Sequence, residues 1–310
     1  MKLNKDQMRA YQYAVKREKE HIAARKKEDK AFNKRIDSIY KNLRFDIQDE
    51  IYKFIGRYAD KEGITRTEAN KRIEIIDYRR ALKRVRDINL RGPLTEEQKR
   101  QLDNLNITSN LTRLEMLLEN VNLSLIDTYG RLETNVGDYL IYTGKKELET
   151  QAEDLNLTIH SSQKIKNNIE KIAKADFHTA TFSERLWADK ANLKNNLELG
   201  ITKTIIRGQN PKRWSRNLQR NLKNNIANAE YSARRISITE TARVQGEVVK
   251  ESFKSNGYDK YIYIAEPTAC EICIELDGTV HKIEDAVPGI NYYPMHPFCK
   301  CGASPYYEES

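Results

Sequence analysis

The chain has 310 residues, 39% of them hydrophobic and 32% charged. That is enough to bury one large core or two to three modest ones, near the polar end of globular composition. The formal charge is +9, and residues 1–45 alone carry 14 Lys+Arg against 6 Asp+Glu. The basic character therefore belongs to an N-terminal arm, suited to a polyanion such as genomic DNA, to an acidic protein face, or simply to water on one side of a helix. Met1-Lys-Leu-Asn-Lys-Asp6 has no apolar leader, and no stretch approaches the roughly 20 apolar residues of a membrane span. A chain made and used in the cytosol, or carried inside something, is expected.

From Asp6 to about Tyr58, Ala10, Tyr13, Ile22, Phe32, Ile36, Tyr40, Leu43, Ile47, Ile51 and Phe54 recur largely at three- and four-residue steps. This predicts amphipathic helix, broken once or twice. Thr65-Arg-Thr-Glu68 offers a capping-box start for a helix marked by Ile73, Ile76, Leu82 and Val85 and stopped by Gly92-Pro93. Thr95-Glu-Glu-Gln98 repeats the signal before a leucine-rich face from Leu102 to Tyr129. The pattern from Gly130 to about Thr181 then weakens into shorter helices, loops or a connection.

Thr181-Phe-Ser-Glu184 opens a helix carrying Leu186, Trp187, Leu193, Leu197 and Leu199 up to Gly200. Asn210-Pro211 caps the next helix, with Trp214, Leu218 and Leu222, and a further helix runs from Ala233 to a stop at Asn256-Gly257. Lys212-Arg-Trp-Ser-Arg216 puts basic groups beside an aromatic, a pattern that can meet phosphates, although such a Trp is more often core. Glu240 and Arg243 fit a surface i,i+3 pair better than a catalytic one. Only then does the period change: Tyr261-Ile-Tyr-Ile-Ala265 predicts a strand, and Thr279-Val-His-Lys-Ile283, after the turn dipeptide Asp277-Gly278, predicts its partner. The fold class is mainly α, with a small C-terminal α+β module.

All four cysteines, Cys270, Cys273, Cys299 and Cys301, fall in the last 41 residues. A C-x2-C turn aims two thiolates at one tetrahedral ion, and in an extended C-x-C segment alternate side chains share a face. Together the pairs predict a structural four-thiolate Zn2+ site, with His296 as an alternative ligand or an outer donor. Such an ion would supply the folding energy that a segment of about 50 residues cannot draw from its own core. Two disulfides and four unrelated free thiols are the rival readings. A catalytic zinc would need an open position and a base among Glu271, Glu275, Asp277 and His281, which four thiolates leave no room for. No nucleophile triad, P-loop or dinucleotide fingerprint is present.

Ile238-Thr-Glu-Thr-Ala-Arg243, Cys270-Glu-Ile-Cys-Ile-Glu-Leu-Asp-Gly278, Pro288-Gly289 and Pro294-Met-His-Pro-Phe-Cys-Lys-Cys301 follow one another in an order that resembles the Mu F-like minor head protein, or head morphogenesis, family of tailed phages. The resemblance covers roughly residues 180–310, and its His-Pro-x-Cys-x-Cys ending is the most specific part. Lys300 and Met295 stand where many relatives carry Arg and Pro.

The resemblance implies a minor capsid protein of the virion, in the head interior or near the portal, active in assembly in the host cytoplasm and in some relatives leaving with the DNA. It implies the phage portal, scaffold or major capsid protein as partners, metal positions at Cys270, Cys273, Cys299 and Cys301, and no catalytic role or appended enzyme. The organisation that follows is a basic helical region over 1–92, a helical middle over 93–180, the helical part of a head morphogenesis domain over 181–257 and an α+β zinc module over 258–310. A DNA-binding protein of packaging or ejection is the alternative function, and a zinc-dependent hydrolase the second alternative.

Overall fold

The computed structural model describes residues 5–59, 64–206 and 211–306, without the side chains of 5–7, 10, 206 and 211–216. The apolar periodicity of the first 58 residues becomes one unbroken helix, α1 (Lys5–Tyr58), rather than the two or three pieces expected. The reason is compositional, since no glycine or proline occurs between Lys5 and Ile55. Thr65 caps as its signal predicts, its hydroxyl accepting from Glu68 N at 3.1 Å, but α2 (Arg66–Ala69) is a single turn.

The chain instead pairs with residues 111–113, Ile73 N donating to Leu111 O at 3.0 Å and Arg113 N to Lys71 O at 2.9 Å, before α3 (Ile75–Leu90) begins. Ile76 and Leu82, expected inside, are exposed; Ala81 and Ile88 take the inner face. Thr95 caps α4 (Glu96–Asp103) through Gln98 N.

The weakly patterned stretch after Gly130 is the largest departure from the sequence reading. Helix α5 (Arg113–Leu155) runs straight through it, and α6 (Ile159–Lys174), capped by Thr158, follows. Gly144 is not a breaker but a point of close approach: a Cβ there would lie 2.9 Å from Ile169 Cγ2 and 3.0 Å from Val244 Cγ1. Helix α7 (Phe182–Ile206) likewise passes through Gly200, with Leu199 exposed, and α8 (Pro211–Ser255) is one helix where two were expected. The expected cap at Asn210, and the side chains of Lys212, Arg213, Trp214 and Arg216, lie outside the described residues. Among the described residues no helix is long and apolar enough to cross a membrane.

After Gly257, at φ +79°, come β1 (Lys260–Ile264), α9 (Glu271–Leu276), β2 (Val280–Lys282) and β3 (Gly302–Tyr306). They form an antiparallel sheet of order β2-β1-β3. The β1–β2 pairing is the one predicted. The β3 strand was not foreseen, because Gly-Ala-Ser-Pro-Tyr has little strand propensity; its Pro305 is tolerated because β3 is an edge strand.

Two compact units result, neither continuous in sequence. One comprises 35–135 and 183–233, where buried side chains of α1, α5, α7 and α8 make the core. Within it Tyr40 and Tyr129 share a hydroxyl hydrogen bond of 3.1 Å, and Glu133 accepts from Trp187 Nε1, Ser183 Oγ and Thr95 Oγ1. The other unit comprises 1–34, 136–182 and 234–310. In it β1 is buried on both faces: Ile262 and Ile264 meet Ile22, Tyr11 and Val15 of α1, while Tyr261 and Tyr263 join the cysteines, Leu155, Val249 and Phe253.

Candidate metal centre

The site is assembled on the outer end of α8. Arg243 and Glu240, expected as a surface pair, are buried at 4% and 1% exposure and joined at 2.7 Å. The correction has a clear cause: α6 ends against this part of α8, and the Arg243 guanidinium donates to the carbonyls of Ile172 and Ala173 in the last turn of α6. A cation there satisfies carbonyls that have no partner within their own helix. One turn earlier, Thr239 Oγ1 accepts from Phe298 N at 3.2 Å, a residue held at φ +65° just before Cys299.

One turn later, Gly246 lets the Tyr292–Tyr293 loop sit against the helix backbone. A Cβ at this position would come within 3.1 Å of Tyr293 O, and the Tyr292 hydroxyl donates to Gly246 O at 2.8 Å. The Thr239–Gly246 stretch of α8 is thus a docking face for the loop that delivers the last two cysteines.

The first two cysteines come from the connection between β1 and β2. Cys270 precedes α9 and Cys273 lies in its first turn, where Cys273 N and Ile274 N donate to Cys270 O. The segment is registered by Asp277, whose Oδ1 accepts from Ala265 N at 2.8 Å, and by Gly278 N donating to Tyr263 O. Helix α1 adds two ties, Lys300 Nζ to Asp29 and Lys26 Nζ to Glu266, each at 2.6 Å.

Five donors therefore converge. The ligand atoms of Cys270, Cys273 and His296 lie within 4.8 Å of one another, as do those of Cys273, Cys299 and Cys301, so Cys273 belongs to both groups. Cys273 and Cys299 are separated by 3.9 Å between sulfurs, and all four cysteines are free. That is too far for a disulfide and close to the edge of a tetrahedron of about 3.8 Å that zinc–sulfur bonds of about 2.3 Å would give. His296 Nε2 stands 3.1 Å from Cys270 Sγ and 3.4 Å from Cys273 Sγ, while its Nδ1 donates to Pro297 O at 2.8 Å. This arrangement leaves the Nε2 lone pair facing the sulfurs, the tautomer a metal takes.

Electrostatics explains why such a cluster suits a cation. The Cys273 and Cys301 thiols point hydrogen bonds at Cys299 and hold it far below the ordinary thiol value, and for the same reason Cys273 and Cys301 are driven far above theirs, burial adding to the effect. The trio thus gathers its negative charge on the Cys299 sulfur, and a bound dication would favour ionisation of every sulfur. Cys270, at the mouth, is lowered first by the Cys273 backbone N–H. His296 is raised: burial opposes its charge, but the Pro297 carbonyl and the nearby thiols outweigh it.

Glu271 and Glu275 are exposed, Asp277 is engaged with Ala265 N, and His281 hydrogen-bonds Thr279 Oγ1 at 2.8 Å. Among the described residues none of these four joins either ligand group. The cluster can hold a metal ion. Its dependence on Thr239, Gly246 and the α6 cap was missed in the sequence, where the regular spacing of α8 marked those residues only as helical.

The family model described as Phage Mu protein F like protein matches residues 195–304, from within α7 to within β3. No curated protein and no solved structure matches the chain. The stretch that unites the α8 docking face with the converging thiols is thus the part of the chain that is similar to the Mu F-like family of phage proteins.

Proposed function

We propose that the chain is a minor capsid, or head morphogenesis, protein of a tailed bacteriophage, with a structural role in head assembly near the portal. The observation that carries this reading is the family match over 195–304, which takes in both the Glu240–Arg243 pair and the cysteine cluster. The portal protein, and beyond it the scaffold or major capsid protein, are the partners of this role. The virion is its place, and departure with the DNA is compatible with it.

One structural zinc ion belongs to the proposal. Cys270, Cys273, Cys299 and Cys301 would hold it, with His296 as the alternative fourth ligand or the donor beside them, and thiolates filling the shell leave no open position for chemistry. A catalytic role is not part of the reading. The test is pull-down of the zinc-loaded chain against the phage's portal, scaffold and DNA at near-physiological salt. Capture by portal without DNA supports the assembly role, and no capture by portal or scaffold overturns it.

A second reading, DNA binding during packaging or ejection, is favoured by the exposed Lys16, Lys27, Lys30 and Lys34 on α1. DNA affinity falling steeply and linearly on a logarithmic salt scale supports it, and salt-independent or absent binding removes it.

A further inference from the structure

Tyr263, like Tyr293, Ser237, Thr241 and Ser304 of the same unit, has a buried hydroxyl without a well-formed hydrogen bond. Its ring is fully enclosed at 0% exposure in the same cluster as Cys273, Cys299 and Cys301, and its hydroxyl lies beside the Cys273 and Cys301 sulfurs without making a well-aligned hydrogen bond to either. Its backbone leaves it no freedom to look elsewhere: Tyr263 N donates to Thr279 O, its carbonyl accepts from Gly278 N, and its register opposite Ala303 puts it two residues from Cys301 on the neighbouring strand. Tyr261, on the same face of β1, solves the same problem differently, donating its hydroxyl to Asn291 O at 2.9 Å. A buried phenol without a full-strength acceptor is rare in folded proteins.

We infer that the Tyr263 hydroxyl is the outer donor of the metal site, giving its hydrogen bond to the sulfur of Cys273 or Cys301 once the metal has turned that thiol into a thiolate. The inference rests on the metal reading above. A neutral thiol is a weak acceptor, whereas a metal-bound thiolate carries charge that an aimed O–H stabilises. Tyr263 is then a positioning residue: it touches no metal, but it sets the charge on the sulfur that does.

The experiment uses the full chain as wild type, Tyr263→Phe and Tyr261→Phe, with zinc affinity measured by competition against a chromophoric chelator and the sulfur-to-metal charge-transfer band recorded after Co2+ substitution. Tyr263→Phe is expected to weaken zinc binding by about 10–100-fold and to move the cobalt band to lower energy, because the sulfur donates more freely without its hydrogen bond. Tyr261→Phe, which loses an ordinary protein hydrogen bond, should lower thermal stability while leaving affinity and band in place. If wild type binds zinc and Tyr263→Phe matches it within twofold with an unmoved band, the inference is wrong and the metal site stands. If wild type itself takes up no stoichiometric zinc or cobalt, the metal reading fails and the inference falls with it.

Discussion

Replacing Arg243 with Met removes a cation from a site where Glu240 and Arg243 are 1% and 4% exposed. Screening by water is slight there, and the carboxylate loses the guanidinium that lies 2.7 Å away. At the end of α6 the Ala173 carbonyl loses the guanidinium in the same stroke, and the Ile172 carbonyl keeps only Ala175 N at 3.2 Å. Breaking a buried pair from one side costs about 3–5 kcal/mol. With a urea slope of about 2 kcal/mol per molar, the midpoint should fall by about 2 M.

The assay is urea unfolding of the zinc-saturated chain followed by far-ultraviolet circular dichroism. The double change Glu240→Leu with Arg243→Met should recover part of the loss, because it no longer strands a carboxylate. A single variant within about 1 kcal/mol of wild type, or a double variant no better than the single, would refute the view that this pair holds α6 and α8 together, and would return it to the candidates for chemistry.

Lys190, 3% exposed and bonded to Asn122 Oδ1 at 2.7 Å and Gln101 Oε1 at 3.0 Å, is pushed down to about 8 by burial and then by Lys194. Between that value and the ordinary 10.5 the unfolded chain holds more protons, so stability rises with pH. The wild type should gain about 2 kcal/mol over Lys190→Met between about pH 7.5 and 9.5, and parallel denaturation curves across that window would contradict the burial argument. Gly144→Ala should destabilise by about 1–3 kcal/mol through contact with Ile169 and Val244, whereas Gly56→Ala, with nothing within 4 Å, should be neutral or stabilising by up to about 1 kcal/mol. Stripping metal with a strong chelator should lower stability by about 4 kcal/mol relative to protein held at free zinc about 1,000-fold above its Kd, and an unchanged melting curve would speak against a structural ion.

What the sequence disclosed depended on the range of the interaction. The thiol pairs, the β1–β2 pairing and the Thr65, Thr95 and Thr158 caps are written in residues a few positions apart, or in side chains with one dominant chemistry, and the caps at Thr65 and Thr95 were read correctly. The long course of α5 was hidden because Gly130, Gly137 and Gly144 look like punctuation until their neighbours are known. The burial of Glu240–Arg243 was hidden because charge ordinarily means surface, and only the α6 terminus, about 70 residues away in sequence, reverses that expectation. Strand β3 was invisible because its pairing is supplied wholly by β1, against the preference of Gly302 and Pro305. His296 could be placed beside the cysteines by spacing, but only its Nδ1 bond to Pro297 O reveals which nitrogen faces them.

The two-faced burial of β1 also sets a schedule for biosynthesis. Ile22 packs with Ile262 and Ile264, about 240 positions later on the ribosome. At about 5–20 residues per second, the first helix waits roughly 10–50 seconds with an oily stripe uncovered. Closure of this half of the molecule is therefore a late event, and a nascent chain stalled before its cysteine-bearing segment would be a natural target for chaperones and proteases.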